Sequence, residues 1–288
     1  GALIAGLVPA LFIDDIGRVN AYRYASYAGL ALWFLSLIPA VMLRSGPLEG
    51  PAALPAAQSR RGFDVRAMFS GVRHPGRIAV FVLTTALIYV GTSAIAPLMN
   101  VTFHEGHVQA GEGEIGVIFA AGELALALAI LGVPLLATRM LKVDAIAVTR
   151  LIALPFVLGI GLLPLILHEG ALLLVLVGAS YIGREAIFRM SFPLDEAFNM
   201  EVLDARERAT ATGLEIAFGA ALSAPVILLS SRLMDSGDFA TPVVIAAGAY
   251  LASTLIYWIG LRGLELTTRN ERVAEAESGP VAAPASGS

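Results

Sequence analysis

"ALLLVLVGASYIGREAIFRMSF", residues 171–192, decides the fold. The run has the length of about 20 mostly apolar residues that a helix needs to cross a bilayer. Residues 171–182 alone are too short to span, so the helix must carry Arg184 with it. With the span centred near residues 181–182, Arg184 lies about 4 Å from the midplane and Arg189 about 11 Å, toward the same side. Charges at such depth are costly, and they face a bundle interior or a water-filled cavity. On a helical wheel Tyr181, Arg184, Glu185 and Phe188 share one face, with Arg189 at its rim. Glu185 and Arg189, acid first at i, i+4, are spaced as a structural ion pair. Arg184 then needs a partner from another helix or from a substrate.

The rest of the chain agrees with a membrane setting. Of its 288 residues 57% are hydrophobic and 15% charged, with a mean hydropathy of +0.78. A soluble domain carries about 25% charged residues. The net charge of −4 offers no footprint for nucleic acid. There is no cysteine, which excludes disulfides and thiolate metal sites. Seven stretches are long and apolar enough to span: 24–43, 78–99, 115–136, 146–167, 171–192, 210–229 and 239–261. Each is continuous and about twice the length of a barrel strand, so the fold class is an all-α integral membrane bundle. Internal prolines such as Pro97, Pro134, Pro155 and Pro225 are compatible with kinked membrane helices. Residues 1–13 read as the end of an eighth span, so the chain is expected to be a fragment of a longer protein.

Lys and Arg set the orientation. Residues 44–77 hold Arg44, Arg60, Arg61, Arg66, Arg73 and Arg77; 137–145 hold Arg139 and Lys142; 193–209 hold Arg206 and Arg208; the tail holds Arg262, Arg269 and Arg272. The alternate connections hold only Arg18 and Arg232. This predicts a multi-pass protein of the cell inner (plasma) membrane with a cytoplasmic C-terminus. Within 44–77 a Pro/Ala/Gly-rich linker precedes Val65, Met68, Phe69 and Val72, which share one helical face and suit an interfacial helix or a basic stop signal. The expected organisation is 1–43 as the end of one helical unit, 44–77 as a cytoplasmic loop, 78–265 as a six-helix domain and 266–288 as a disordered tail.

No enzyme motif or cofactor-binding motif is present, and neither an enzyme nor a cofactor is expected. His104, Glu105 and His107 could meet a metal on the outer side, but a solvated loop is the simpler reading and no metal site is expected. The intramembrane acids carry more information. Glu123 lies about 4 Å from its span centre and Glu215 about 7 Å, the latter at a depth similar to Arg184. Depth pairs Glu215 with Arg184, and leaves Glu123 with no basic group at its level except Arg184. An unpaired buried carboxylate can hold a proton at neutral pH, which makes Glu123 a candidate for proton coupling; Glu215, paired with Arg184, is the other, as part of a proton or substrate-charge relay or else a static bridge between helices. Tyr89, Ser93 and Asn100 form a polar stripe that either lines a path or bonds neighbouring helices.

"REAIFRMSFPLDEAFNMEVLDARERATATGLEIAFGAALSAP", residues 184–225, resembles the region of the tenth and eleventh spans in bacterial transporters of the major facilitator superfamily. "GEGEIGVIFAAGELALALAILGVPLLATRM", residues 111–140, is similar to the family's seventh-to-eighth connection and eighth span, and 44–77 resembles its central loop. The family's basic signature between spans eight and nine is absent; "ATRMLKVDA" stands there. The resemblance implies one six-helix transporter half plus one to two helices of the other, from spans five and six to twelve. It places Tyr89, Ser93, Tyr181 and Arg184 on the wall of a central substrate cavity, and Glu123 on a flanking helix. The implied function is proton-coupled secondary transport, with efflux of small organic compounds favoured over uptake by family frequency. The implied partners are the lipid bilayer, a small-molecule substrate, protons and the N-terminal helices of the same transporter. A seven-helix receptor or a non-transporting membrane scaffold is the alternative. A retinal pump would need a lysine within a span, and the only lysine is Lys142, in a connection.

Overall fold

Helices account for all regular structure among the described residues of the computed structural model, which are 17–42, 74–106, 108–167 and 170–278. The elements in chain order are α1 (Arg18–Met42), α2 (Pro75–Ile95), a 3₁₀ turn (Ala96–Leu98), α3 (Met99–His104), α4 (Glu112–Leu131) and α5 (Val133–Arg139). They continue with α6 (Lys142–Ile166), α7 (Ala171–Arg189), α8 (Phe192–Val202), α9 (Ala205–Asp235) and α10 (Ala240–Ser278). Among the described residues six units are long and apolar enough to cross a membrane: 75–104, 112–139, 142–166, 171–202, 207–235 and 240–267. The protein is therefore a multi-pass membrane protein by length and hydropathy. The span expected over 24–43 is helical as α1, whose described side chains are exposed apart from the intermediate Ala28. The partial span 1–13, the linker and candidate interfacial helix of 44–73, and the tail 279–288 lie outside the described residues.

Two expected boundaries are corrected. Residues 266–278, read as disordered tail, continue α10. "LTTRNERVAEAES" contains no Gly or Pro and several strong helix formers. Residues 193–202, read as a connection, belong to α8. Pro193 ends α7 but suits the first turn of α8, because its missing N–H falls where the helix has no internal acceptor.

Packing follows a single row. The most extensive helix contacts are α9 with α2, α2 with α10, α10 with α6, α6 with α7, and α7 with α4. Exchanging α2 with α7, α4 with α9 and α6 with α10 maps this pattern onto itself. The mates α2 and α7 are both broken near their ends, α2 beside Pro97 and α7 beside Pro193. Successive spans alternate in direction, so mates run in opposite senses. Close approach along the row relies on small residues: a Cβ on Gly91 would come within 2.5 Å of the Tyr250 ring, and one on Gly161 within 2.7 Å of Val243. The two ends of the row are the least covered. Only 6% of the most apolar window of α9 is buried and 22% of that of α4, against 44% in each of the other four spans.

Polar side chains tie the basic connections together at one end. Glu265 of α10 accepts the backbone N–H groups of Lys142 (2.7 Å) and Val143 (2.8 Å), two donors that the start of α6 leaves without intrahelical partners. Lys142 pairs with Glu201. Asp144 accepts from Trp258 Nε1 (2.8 Å) and pairs with Arg262 (3.0 Å). Glu207 accepts the His74 backbone N–H at 2.9 Å. At the other end Gly237, at φ +86°, reverses the chain after α9, a conformation that glycine adopts without a Cβ clash. Asp238 Oδ1 then accepts the N–H groups of Ala240 (3.1 Å) and Thr241 (2.9 Å).

Candidate functional site

Four charged side chains, of which Arg184 and Glu185 are buried, form one connected chain along the row. Arg184 is 3% exposed. Its Nη1 pairs with Glu185, and its Nη2 donates to Tyr250 Oη at 3.1 Å. Glu185 also holds Arg189 (2.7 Å), and Arg189 reaches Glu123 at 3.1 Å. The chain thus runs α10–α7–α4, with two positive and two negative groups. Tyr250 Oη lies 3.0 Å from Thr92 Oγ1, which extends the chain to α2.

This arrangement corrects the pairing expected for Arg184. The guanidinium finds its acid in its own helix, at Glu185, rather than at Glu215. Depth alone suggested Glu215, but α7 and α9 are not neighbours in the row. Glu123 is likewise not left to Arg184; it meets Arg189, with 58% of its side chain exposed. Glu185 and Arg189 do share an ion pair, but within a larger chain.

Tyr181, beside Arg184, stacks on Phe119 at 4.8 Å between ring centres and meets Phe103 edge-on at 6.0 Å. Gly122 leaves room for it: a Cβ there would approach the Tyr181 ring to 3.0 Å. Ser93 donates to Ser223 Oγ at 2.8 Å and joins α2 to α9. Asn100 falls beyond the break after Ile95, so the stripe with Tyr89 and Ser93 is interrupted. His104 Nδ1 lies 3.3 Å from the Ala110 carbonyl, His107 lies outside the described residues, and no cluster of metal-binding side chains occurs among the described residues.

Tyr89 and Glu215, from two different helices, come together. They border a cavity of about 360 Å³ between α2, α8 and α9. Thr85 and Thr92 line its α2 wall, and Asp195, Glu196 and Asn199 line its α8 wall. Tyr89 lies flat against α9 because residue 219 is glycine; a Cβ there would fall 2.5 Å from the ring. Glu215 Oε1 and Asn199 Oδ1 are shut off from solvent and have no hydrogen-bond donor. Thr92 belongs both to this cavity and to the charged chain, so the two sites touch at one hydroxyl.

The cavity rests on a residue that the sequence reading passed over. Arg150 of α6 is fully buried. Its Nε donates to Ser191 Oγ (3.2 Å), its Nη2 pairs with Asp195 (2.7 Å), and its guanidinium lies 5.3 Å from the centre of the Tyr257 ring. Ser191 Oγ donates in turn to the Phe188 carbonyl at 2.8 Å, one of the acceptors left open where α7 ends. Arg150 therefore clamps the break between α7 and α8. The signal was present: "AVTRLIAL", residues 147–154, is a lone Arg in an apolar run, just as Arg184 is.

Comparison with protein-family models and with curated proteins finds no match for the chain.

Proposed function

We propose that the chain is the C-terminal part of a proton-coupled secondary transporter of the major facilitator type, exporting small organic compounds across the cell inner membrane. On this reading α2 to α10 are one transporter half, α1 belongs to the other, and the C-terminus is cytoplasmic. The single observation that carries the proposal is the self-mapping row of six helices with both first members broken at a proline. Transporters of this type are built from inverted three-helix repeats within each half, with binding sites at discontinuous helices. The uncovered faces of α4 and α9, which are mates in that exchange, suit contact with the other half. α1 takes no extended part in the packing of the six, which favours six helices plus one over a closed seven-helix ring.

In the proposed mechanism the two halves rock about the cavity between α2, α8 and α9. Tyr89 forms its wall and Glu215 exchanges its proton there. Thr92 and Tyr250 pass a change in the cavity to Arg184, and the chain Arg184–Glu185–Arg189–Glu123 re-pairs as the state changes. Glu123, whose side chain is not covered by the other helices, gives that chain its proton exit. The test is flux in vesicles that hold the chain together with the helices of the other half. An imposed proton gradient should drive substrate movement, and Glu123→Gln and Arg184→Ala should each slow it. Flux and pH dependence unchanged in both variants would remove the coupling; a ligand bound stoichiometrically without flux would favour a receptor.

A further inference from the structure

We infer that the cavity between α2, α8 and α9 takes a small organic amine in its protonated form, with at least one N–H to donate. The inference deepens the transporter reading, which it needs only for calling the amine a substrate.

The cavity's volume of about 360 Å³ falls within the range of small-molecule sites. What it lacks is as informative as what it has. Glu215, Asp195 and Glu196 border it, while no Lys, Arg or His among the described residues does. Asp195 is held by Arg150 at 2.7 Å from behind, so one acid is balanced. Glu215 is not: its Oε1 is closed to solvent and has no donor. Asn199 Oδ1 is in the same condition. A buried acceptor left without a donor costs about 1–3 kcal/mol, more for a charged group. Glu215 borders the cavity with neither an ion pair nor a hydrogen bond on its carboxylate, so a ligand that brings a positive charge and a donor would balance it.

Charge and shape narrow the class. A carboxylate or phosphate would meet three acids and no base. A neutral alcohol could satisfy an acceptor but would leave the Glu215 charge unmatched. A protonated amine does both. The aromatic side chains Tyr89, Phe81 and Phe192 offer ring surface to its cation and to its apolar part. A quaternary ammonium could use the rings but has no N–H for Glu215 and Asn199.

The probe is phenethylamine, titrated against the purified full chain in lipid nanodiscs by equilibrium dialysis. Phenethyl alcohol and the N,N,N-trimethylated amine serve as its uncharged and donor-free counterparts. The amine should bind saturably, and both counterparts at least about 10-fold more weakly, as loss of one charge-assisted hydrogen bond implies. Glu215→Gln should weaken the amine by a similar factor, while Thr138→Ala, on the exposed end of α5, should leave it unchanged. No saturable amine binding by helical protein overturns the inference, as does equal binding of either counterpart; neither result requires a variant to fold. Amine binding without proton-driven flux would keep the site and reject the transporter; proton-driven flux of a compound that ignores Glu215→Gln would do the reverse.

Discussion

The molecule holds two polar regions that share the Thr92 hydroxyl and differ in how their charges are matched. Along α10, α7 and α4, each of Arg184, Glu185, Arg189 and Glu123 has an opposite charge beside it. In the cavity between α2, α8 and α9, Glu215 Oε1 and Asn199 Oδ1 have nothing. In the first region Arg184 Nε is also shut off without an acceptor, but every charge there is balanced without a ligand. The second is incomplete, and incompleteness in a bilayer is where a ligand or proton gains most. Sequence position pointed to Arg184 as the residue in search of a partner; the geometry moves that search to Glu215.

The contrast can be broken by removing partners. The largest loss is expected at Arg150, which is fully buried and whose removal strands Asp195 at the cavity edge. Arg150→Met should cost about 3–5 kcal/mol of stability in thermal unfolding in nanodiscs, and adding Asp195→Asn should restore much of it. Arg184→Met should cost less, about 2 kcal/mol, because Glu185 keeps Arg189. An equal or larger loss at Arg184 would show that the chain of four charges is not redundantly paired. Gly91→Ala drives a methyl against the Tyr250 ring and should cost about 1–3 kcal/mol, shifting the link between the two regions.

The smallest effect is expected outside the membrane, at Asp238. Its hydrogen bonds with Thr241 and from the Ala240 N–H hold its carboxyl below the usual carboxylate range. A depressed folded-state value stabilises above the unfolded pKa, and the contribution fades as pH falls through the folded one. Asp238→Ala should therefore lower Tm slightly at neutral pH and lose that difference in acid. A difference that persists at low pH would mean the side chain acts by packing.

Much of the fold was legible because hydropathy and charge act along the chain. The span lengths follow from apolar runs, and the gathering of Lys142, Glu201, Asp144, Arg262 and Glu265 at one end matches the alternation of basic connections. The pairings were not legible, because depth along a helix says nothing of which helix lies beside it. Glu215 and Arg184 share a depth but sit on helices that are not neighbours. Adjacent residues on a helix do not stack on one another, yet the long side chains of Arg184 and Glu185, which the wheel puts on one face, meet. The breaks at Pro97 and Pro193 were also hidden, since Pro155 and Pro164 sit inside α6 without dividing it.

The absence of cysteine gives a direct test of the central claim, that the unsatisfied cavity is where a ligand enters. Thr85→Cys places the chain's single thiol on the cavity wall, and Thr138→Cys places one on the exposed end of α5. A water-soluble maleimide should label both, and phenethylamine should slow labelling at position 85 while leaving position 138 untouched. Labelling at position 85 that is indifferent to the amine at millimolar concentration would contradict the account.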